Sequence, residues 1–318
     1  MKLPKNIEIA FFEKSFRLQP LLWQDIILEL CELNNLPKND FYPYKDGSNL
    51  IASVADKYII KIFPPFHRHQ WESEYRVLKN LNKKIQIPVP ELLASGELED
   101  GWTYVIITKL PGVTMESIWG SVGDAAKKHL LRQTGQIMSQ VHSLSADELS
   151  DLPPTWEEFI NSMIERCYER HVRLKAPEWL LKELLEYCSH NIHLLPTNFK
   201  PVILTGEYTP FNLLVSQTNN QWNISAMIDF GDAMIGFNEY DLLGPSVFCC
   251  EGNFELVAAL FEGYGIPYNN VNSDFRTRLM LLMLLHRYSD LNTQIFIPEW
   301  SIRAKSLEEL EELIWPVG

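Results

Sequence analysis

Three oxygen-bearing side chains, Glu207, Asn212 and Asp229, lie in turns that adjoin short apolar runs. The runs are residues 202–204, 213–215 and 222–228. Runs of this composition predict β-strands, so the three side chains are placed at strand ends. Carboxylate and amide oxygens are ligands that Mg²⁺ prefers, with water and phosphate completing its coordination. The spacing therefore predicts a magnesium site.

The polar stretch 217–221 separates the second and third runs and is centred on Asn219 and Asn220. Asparagine tolerates the backbone conformation that a tight hairpin turn requires. The two runs are therefore predicted to form a hairpin, which would bring Asn212 and Asp229 to the same end.

The segment 205–212 reads TGEYTPFN, and the segment 228–233 reads IDFGDA. In these motifs the sequence resembles the aminoglycoside phosphotransferase family, which comprises small-molecule kinases built on the protein-kinase fold. The catalytic loop of that family usually reads H-G-D-x-x-x-x-N. Thr205 and Glu207 stand at the histidine and aspartate positions, and Asn212 has the family spacing. The resemblance implies an α+β, bilobal, protein-kinase-like fold with a small β-rich N-lobe and a larger, mainly helical C-lobe.

The resemblance also implies roles for these residues. Asp229 would bind Mg²⁺, and Asn212 would bind the metal or brace the catalytic loop. Glu207 would accept the proton of the acceptor hydroxyl or orient that hydroxyl. Asp241, in a segment that resembles the family's G-x-x-x-x-D-L, would brace the catalytic loop.

Lys61 lies within the apolar run 57–63, which predicts a β-strand. A lysine there must face solvent or meet an anion, since burying an unpaired ammonium is costly. By resemblance, Lys61 occupies the position that contacts the α- and β-phosphates of ATP. Its partner would be a glutamate of the helix predicted over residues 69–81, where Glu74 aligns best and Glu72 is the rival.

Two further segments are predicted to contact the nucleotide. The turn 46–49, which includes Ser48, could fold over the phosphates, because its glycine permits close backbone approach; a simple hairpin turn is the alternative. By resemblance, Thr108, Lys109 and Leu110 form the hinge that binds the base through backbone groups.

Composition limits the partners. The formal net charge of −13 disfavours nucleic acid, which needs a positive surface, and favours cationic ligands. No apolar run is long enough to span a bilayer, and the amino terminus is unlike a signal peptide, so no membrane partner and a cytoplasmic location are expected. The five cysteines contain no C-x-x-C pair and are expected to be reduced and buried. The oligomeric state is left open.

The pattern of apolar residues, read with the family resemblance, predicts three parts of the chain. Residues 1–40 form a helical lead-in, residues 41–110 the nucleotide-binding N-lobe, and residues 111–318 the catalytic and substrate-binding C-lobe. In the last part, the apolar stripe of residues 274–290, which includes Tyr288, predicts a core helix.

Several polar residues of the third part have no role fixed by pattern. His142, near the end of the helix predicted over residues 127–143, is interpreted as a packing residue, because no nucleophile or metal pattern accompanies it. Acidic side chains could line a cleft for a cationic acceptor; the candidates are Glu239, Glu251, Asp274 and Asp290.

Together these features predict a phosphotransferase that uses ATP, or GTP, with Mg²⁺. Its acceptor would be a hydroxyl of a small, cationic molecule such as an aminoglycoside, amino sugar or amino alcohol. The alternative is a catalytically impaired kinase-fold protein that binds a nucleotide or another ligand, because Thr205 and Glu207 depart from the family pattern.

Overall fold

The computed structural model describes residues 3–206 and 208–317. Two compact units divide the chain. The first comprises Met1–Lys84, Pro88–Pro111 and Met227–Ala233, and the second comprises Ile85–Ile87, Gly112–Ala226 and Met234–Gly318. In the described part of the chain, no helix is both long enough and apolar enough to cross a membrane.

The first unit is built on an antiparallel sheet with the strand order β1-β2-β3-β5-β4. Its strands are β1 (Tyr42–Tyr44), β2 (Leu50–Val54), β3 (Tyr58–Phe63), β4 (Leu92–Glu97) and β5 (Thr103–Thr108), and its α-helices are α1 (Ile9–Phe11), α2 (Gln24–Leu33) and α3 (Arg68–Leu81). Alternate residues of β3, Ile60 and Ile62, belong to an apolar cluster that includes Ile27 and Leu30 of α2. Since successive side chains of a strand point to opposite faces, Lys61 faces away from this cluster.

The second unit is mainly helical. Its elements are β6 (Val113–Thr114), α4 (Met115–Trp119), α5 (Asp124–Ser143), α6 (Trp156–Arg173), α7 (Glu178–Asn191), β7 (Val202–Leu204), β8 (Leu213–Thr218), β9 (Gln221–Met227), β10 (Met234–Gly236), α8 (Leu243–Cys249), α9 (Phe254–Tyr264), α10 (Ser273–Leu284), α11 (Leu291–Gln294), α12 (Trp300–Arg303) and α13 (Leu307–Ile314). The pairing of β8 with β9 confirms the predicted hairpin. Asn219 and Asn220 both have positive φ, 53° and 61°, as a type I′ turn requires.

Helices α5 and α9 approach each other at two glycines. A Cβ atom built on Gly135 would lie 2.3 Å from the carbonyl oxygen of Leu260, and one built on Gly263 would lie 2.3 Å from the carbonyl oxygen of Arg132. The two helix backbones are therefore in direct contact, which only glycine permits at these two positions.

The core helix predicted over residues 274–290 is shorter in the structure, because α10 ends at Leu284. The carbonyl oxygen of Leu284 accepts hydrogen bonds from Arg170 at 2.7 Å and from His171 at 3.1 Å. These donors bind a carbonyl that a longer helix would use for its own next turn. Tyr288 lies beyond the helix end and is 48% exposed, so its assignment to the core stripe is wrong.

The five cysteines are all buried, as their usual packing role predicts.

Candidate active site

The first unit contains a lysine held between two carboxylates. The Nζ atom of Lys61 lies 2.7 Å from Oε1 of Glu74 and 3.1 Å from Oδ1 of Asp229. Lys61 is 7% exposed and Glu74 is 1% exposed. Glu72, the rival partner, is paired with Arg76 at 3.4 Å. The contact predicted between the strand lysine and the helix glutamate is therefore present with Glu74.

The three charges shift one another's pKa values. Burial alone would lower the pKa of Lys61, but Asp229 and Glu74 raise it above its ordinary value. Burial raises the pKa of Glu74 to about 7 despite the opposing charge of Lys61. Removal from water acts to raise the pKa of Asp229, yet Lys61 and the backbone N–H groups of Phe230 and Gly231 lower it on balance. Lys61 and Asp229 are thus ionised at neutral pH, whereas Glu74 is close to its own pKa.

Asp229 presents its carboxylate from a strained backbone. Its φ is 67°, in the left-handed region that few residues other than glycine adopt. The N–H of Gly231 donates to its Oδ1 atom at 3.3 Å, which stabilises this turn. The side chain remains 42% exposed. An ionised carboxylate with an accessible oxygen has the donor chemistry that Mg²⁺ requires, so this residue fits a metal ligand.

A polar network ties the turn 46–49 to α3. Gln70, which is 4% exposed, accepts hydrogen bonds through Oε1 from Asn49 at 3.0 Å and from Ser48 at 3.4 Å. Its Nε2 atom donates to Oδ1 of Asp232 at 3.4 Å. His67, whose pKa burial lowers to about 4, contacts Oδ1 of Asn49 at 3.0 Å. Ser48 is therefore held within the first unit, and its contact with a nucleotide stays a prediction.

The predicted hinge residues follow β5. The N–H of Thr108 donates to the carbonyl of Glu91 at 3.0 Å, and the N–H of Lys109 donates to the carbonyl of Lys57 at 2.8 Å. Both donors thus serve the protein's own backbone, so a base cannot use them as well. Leu110 is the remaining member of the predicted hinge whose N–H could serve a base.

In the second unit, Asp241 braces the loop that follows β7. Its carboxylate accepts the N–H of Thr205 at 3.0 Å and the N–H of Gly206 at 2.8 Å. The Nε2 atom of His142 lies 3.0 Å from the same carboxylate, and its Nδ1 atom lies 2.9 Å from the hydroxyl of Tyr264. His142 is 6% exposed, in keeping with a packing role. Glu207, the predicted proton acceptor, lies outside the described residues.

Asn212 closes a turn of the same loop. Its N–H donates to the carbonyl of Thr209 at 3.1 Å, and Pro210 occupies the turn position that its fixed φ favours. The carbonyl of Pro210 also accepts the N–H of Glu116 at 2.9 Å, at the start of α4. Asn212 belongs to the second unit, whereas Asp229 belongs to the first. The metal-binding role of Asn212 stays a prediction.

Two of the acidic side chains proposed for a cationic cleft have structural partners. Glu239 accepts hydrogen bonds from Arg278 at 2.9 Å and 2.7 Å and is 6% exposed. Asp290 accepts the N–H of Asn292 at 3.2 Å at the start of α11. Glu239 is therefore buried and paired within the protein, whereas Asp290 caps the N-terminus of α11 through one carboxylate oxygen.

Sequence reasoning did not identify Gln70 as part of the site. Its position between His69 and Glu74 in an amphipathic helix carried no separate signal. Gln70 and Glu74 are four residues apart, so they lie on the same face of the helix. The spacing of four residues from Glu74 was the available indication in the sequence.

Comparisons with known proteins agree with this fold and these motifs. Residues 46–277 match the family described as "Phosphotransferase enzyme family". The chain belongs to this family. Its fold is kinase-like, with a sheet-based N-lobe and a helical C-lobe.

Solved structures of similar fold include two antibiotic phosphotransferases. The GDP complex of aminoglycoside 2'-phosphotransferase-IIIa is 18% identical, covers 91% of this chain and 97% of its own, and has a TM-score of 0.68. Macrolide 2'-phosphotransferase MphH from Brachybacterium faecium is 17% identical, covers 92% of this chain and 99% of its own, and has a TM-score of 0.57. At these identities the similarity establishes the fold.

A curated protein, lysine-specific demethylase JMJ21 of Arabidopsis thaliana, is 21% identical over 301 residues. The match covers 77% of this chain and 31% of the curated protein, so the chain spans about a third of that relative's length.

Proposed function

We propose that this protein transfers the γ-phosphoryl group of ATP or GTP, in the presence of Mg²⁺, to a hydroxyl of a small molecule. The observation that carries the proposal is the buried Lys61, which lies 2.7 Å from Glu74 and 3.1 Å from Asp229. In a family of phosphotransferases, such a fixed cation beside an accessible carboxylate suits the binding of phosphate and metal. A GDP complex of a protein with the same fold supports a purine nucleotide.

Lys61 would bind the nucleotide phosphates, because its ammonium is held ionised and in place by Glu74. Glu74 would act as the positioning partner, since its side chain is buried at 1% exposure. Ser48 would add a hydroxyl from the turn above the phosphates. The N–H of Leu110, with carbonyl groups of the hinge, would bind the base.

Asp229 would hold Mg²⁺, with Asn212 as the second protein ligand. The bound ion would neutralise charge on the phosphates, which is the main requirement of phosphoryl transfer. Among the residues that the structure describes, no cluster of three or more histidine, cysteine or acidic side chains forms a metal cage. A site with few protein ligands is what a nucleotide-bound Mg²⁺ uses.

Glu207 would accept the proton of the acceptor hydroxyl. In the proposed step the hydroxyl oxygen forms a bond to the γ-phosphorus, the bond from that phosphorus to the β,γ-bridging oxygen breaks, and the nucleoside diphosphate leaves. Asn212 would support the loop geometry from the same turn. Asp241 fixes the start of this loop through the N–H groups of Thr205 and Gly206.

A second candidate is a kinase-fold protein that binds a nucleotide with little turnover. The observation that favours it is Glu207 at the position of the family aspartate. Glutamate is longer by a methylene group, and a misplacement of about 1 Å can cost about 10²-fold in rate. Thr205 at the histidine position adds a second departure.

Thermal unfolding with ATP or GTP, with and without Mg²⁺, tests the proposal. A ligand at 100 times its Kd stabilises a protein by about 2.7 kcal/mol. We expect a metal-dependent shift for the wild type and for Glu97→Ala, which removes an exposed carboxylate of β4 in the same unit, but none for Asp229→Ala. An absent shift in the wild type at saturating nucleotide would refute the proposal.

Turnover separates the two candidates. Acceptor-dependent release of ADP or GDP is expected from the wild type and not from Asp229→Ala. If the wild type binds the metal–nucleotide complex without turnover while Glu207→Asp turns over rapidly, the binding function is favoured. A cationic acceptor and a cytoplasmic location remain predictions from composition.

A further inference from the structure

Three phenylalanines of the second unit form a row that begins at the catalytic loop. The ring centroids of Phe211 and Phe248 are 6.3 Å apart, and those of Phe248 and Phe296 are 6.0 Å apart. Phe211 is 49% exposed and Phe296 is 51% exposed, while Phe248 between them is half-buried. Single exposed apolar residues are ordinary, but a contiguous apolar surface indicates a binding site.

The first ring is held rigidly beside the predicted chemistry. Phe211 precedes Asn212 in the turn that begins at Thr209, and Pro210 restricts the backbone of that turn. The carbonyl of Pro210 is bonded to the N–H of Glu116 at 2.9 Å, so the turn is fixed to α4. The ring of Phe211 is thus presented to solvent from the catalytic loop itself.

The other two rings are also fixed by their backbones. A Cβ atom on Gly244 of α8 would lie 3.4 Å from the carbonyl oxygen of Tyr208, so this helix packs directly on the catalytic loop. Phe248 lies one helical turn after Gly244, on the same face of α8. Phe296 is flanked by Ile295 and Ile297, which are 6% and 5% exposed and anchor the segment in the core.

We infer that this phenylalanine row is the acceptor subsite, and that the acceptor carries a large apolar face next to its reacting hydroxyl. The inference rests on the proposed function. The occupant is the acceptor, because the row starts at the residue that precedes Asn212 in the loop predicted to receive the hydroxyl. A polyhydroxylated, polycationic amino sugar offers little surface for such rings, whereas a macrolide lactone offers an extended one.

Initial rates with two acceptors test the inference. We expect a macrolide lactone to have a higher kcat/KM than kanamycin. Because an acceptor that covers the exposed ring of Phe211 removes apolar surface from water, Phe211→Ala should raise the KM for the macrolide by about tenfold with kcat little changed. Phe211→Tyr, which keeps the ring, should restore the wild-type KM.

Phe11→Ala is the matched control. Phe11 lies in the first unit, is 51% exposed, and contacts another phenylalanine, Phe16, at the same centroid distance of 6.3 Å. Its substitution should leave both acceptors unaffected. Equal kcat/KM values of wild type and Phe211→Ala for the macrolide, or a clear preference of the wild type for kanamycin, would overturn the inference.

A measurement of acceptor binding, which requires no phosphoryl transfer, tests this inference independently of the proposed function. Saturation-transfer NMR of the macrolide should show contact with the wild type and a loss of contact with Phe211→Ala. Absence of contact with the wild type overturns the inference even if the metal–nucleotide complex stabilises the protein. Contact that depends on Phe211, together with no nucleotide-dependent stabilisation, supports binding of an apolar ligand at the row and refutes the kinase function.

Discussion

The buried pair of Lys61 and Glu74 has two consequences. It positions the lysine for phosphate binding, and it makes the stability of the protein depend on pH. Glu74 is 1% exposed, and burial raises its pKa to about 7 although Lys61 lies 2.7 Å away. A single lysine shared by Glu74 and Asp229 cannot fully compensate both carboxylates. Phosphate oxygens would therefore compete with Glu74 for the ammonium of Lys61. A protonated, neutral Glu74 would hold this ammonium less strongly, so the lysine could turn to the phosphate more readily.

The raised pKa of Glu74 predicts that stability falls as pH rises. The protonated form is favoured in the folded state, so this contribution is fully present below the ordinary pKa of 4.5 and is lost as pH passes about 7. The loss amounts to roughly 2 to 4 kcal/mol. Glu74→Gln cannot ionise and should lack this pH dependence, as measured by urea unfolding at pH 5 and pH 8.

Glu72→Gln is the control for this prediction. Glu72 lies on the same helix and pairs with Arg76 at 3.4 Å, with its side chain 38% exposed. Exposed pairs contribute roughly 0 to 1 kcal/mol, so the variant should keep the wild-type dependence. If Glu74→Gln and Glu72→Gln show the same dependence on pH, Glu74 is not the titrating group.

His142 is predicted to act as a positioning residue through Asp241. His142→Ala removes a contact of 3.0 Å to the carboxylate that holds the N–H groups of Thr205 and Gly206. We expect kcat to fall by about 10- to 100-fold, because the catalytic loop shifts, while the KM for nucleotide is unchanged. His142→Gln retains a side-chain donor and should recover part of the rate.

His129→Ala serves as the comparison on the same helix. The Nε2 atom of His129 contacts Asn223 at 2.9 Å, away from Asp241. Equal losses of kcat in the two alanine variants would mean that the effect is a general weakening of α5.

At the scale of elements, α3 does more than supply Glu74. Gln70, one turn earlier, connects Ser48 and Asn49 of the glycine-containing turn to Asp232, which follows Asp229. Any shift of α3 would therefore move the lysine's partner, the turn and the segment that carries Asp229 together. This arrangement makes α3 the element whose position sets the geometry of the first unit's site.

Gln70→Leu tests this coupling. Leucine keeps the apolar volume but leaves the amide of Asn49 and the carboxylate of Asp232 without this partner, and each lost hydrogen bond contributes about 1 kcal/mol. We expect the affinity for the metal–nucleotide complex to fall by about tenfold, as measured by titration calorimetry. Lys79→Leu, at an exposed position of α3, should bind as the wild type does; equal affinities for all three proteins would show that the network has no role in binding.

Structural elements that depend on residues close together in the sequence were predictable. The β8–β9 hairpin followed from Asn219 and Asn220, and the helix that carries Glu74 was predicted over residues 69–81, directly after the lysine strand. The N-terminal cap of α13 is equally local, because Ser306 accepts the N–H of Glu309 at 3.1 Å. These features depend on residues a few positions apart.

Contacts between distant residues were not predictable. His142 and Asp241 were each interpreted correctly as structural, but their hydrogen bond joins positions 99 residues apart, and no local pattern encodes it. The early end of α10 likewise depends on Arg170 and His171, which belong to another helix. The phenylalanine row was not predictable from the sequence either, because its members come from a loop, a helix and an extended segment that are far apart along the chain.

For the molecule as a whole, the glycine contact between α5 and α9 links stability to the catalytic loop. His142 lies on α5 and Tyr264 on α9, and the two side chains meet at 2.9 Å. Gly135→Ala would place a Cβ atom 2.3 Å from the carbonyl oxygen of Leu260, so the helices must separate. We expect a loss of about 2 to 3 kcal/mol in the free energy of unfolding, measured with urea, together with a lower kcat.

Gly120→Ala is the matched variant. A Cβ atom at Gly120 meets nothing within 4 Å, and its φ of −72° suits any residue. Its free energy of unfolding should equal or slightly exceed that of the wild type. A Gly135→Ala protein as stable as Gly120→Ala would mean that the helix pair can relax without cost.

The phenylalanine row and the glycine contact differ in how well they would tolerate substitution during evolution. Phe211 and Phe296 are half exposed, so their replacement would alter the acceptor without repacking the interior. Gly135 and Gly263 leave no space for any side chain, and through His142 and Tyr264 they support the loop. Descendants of this protein could therefore acquire new acceptors by exchanging surface rings while inheriting the support of the catalytic loop unchanged.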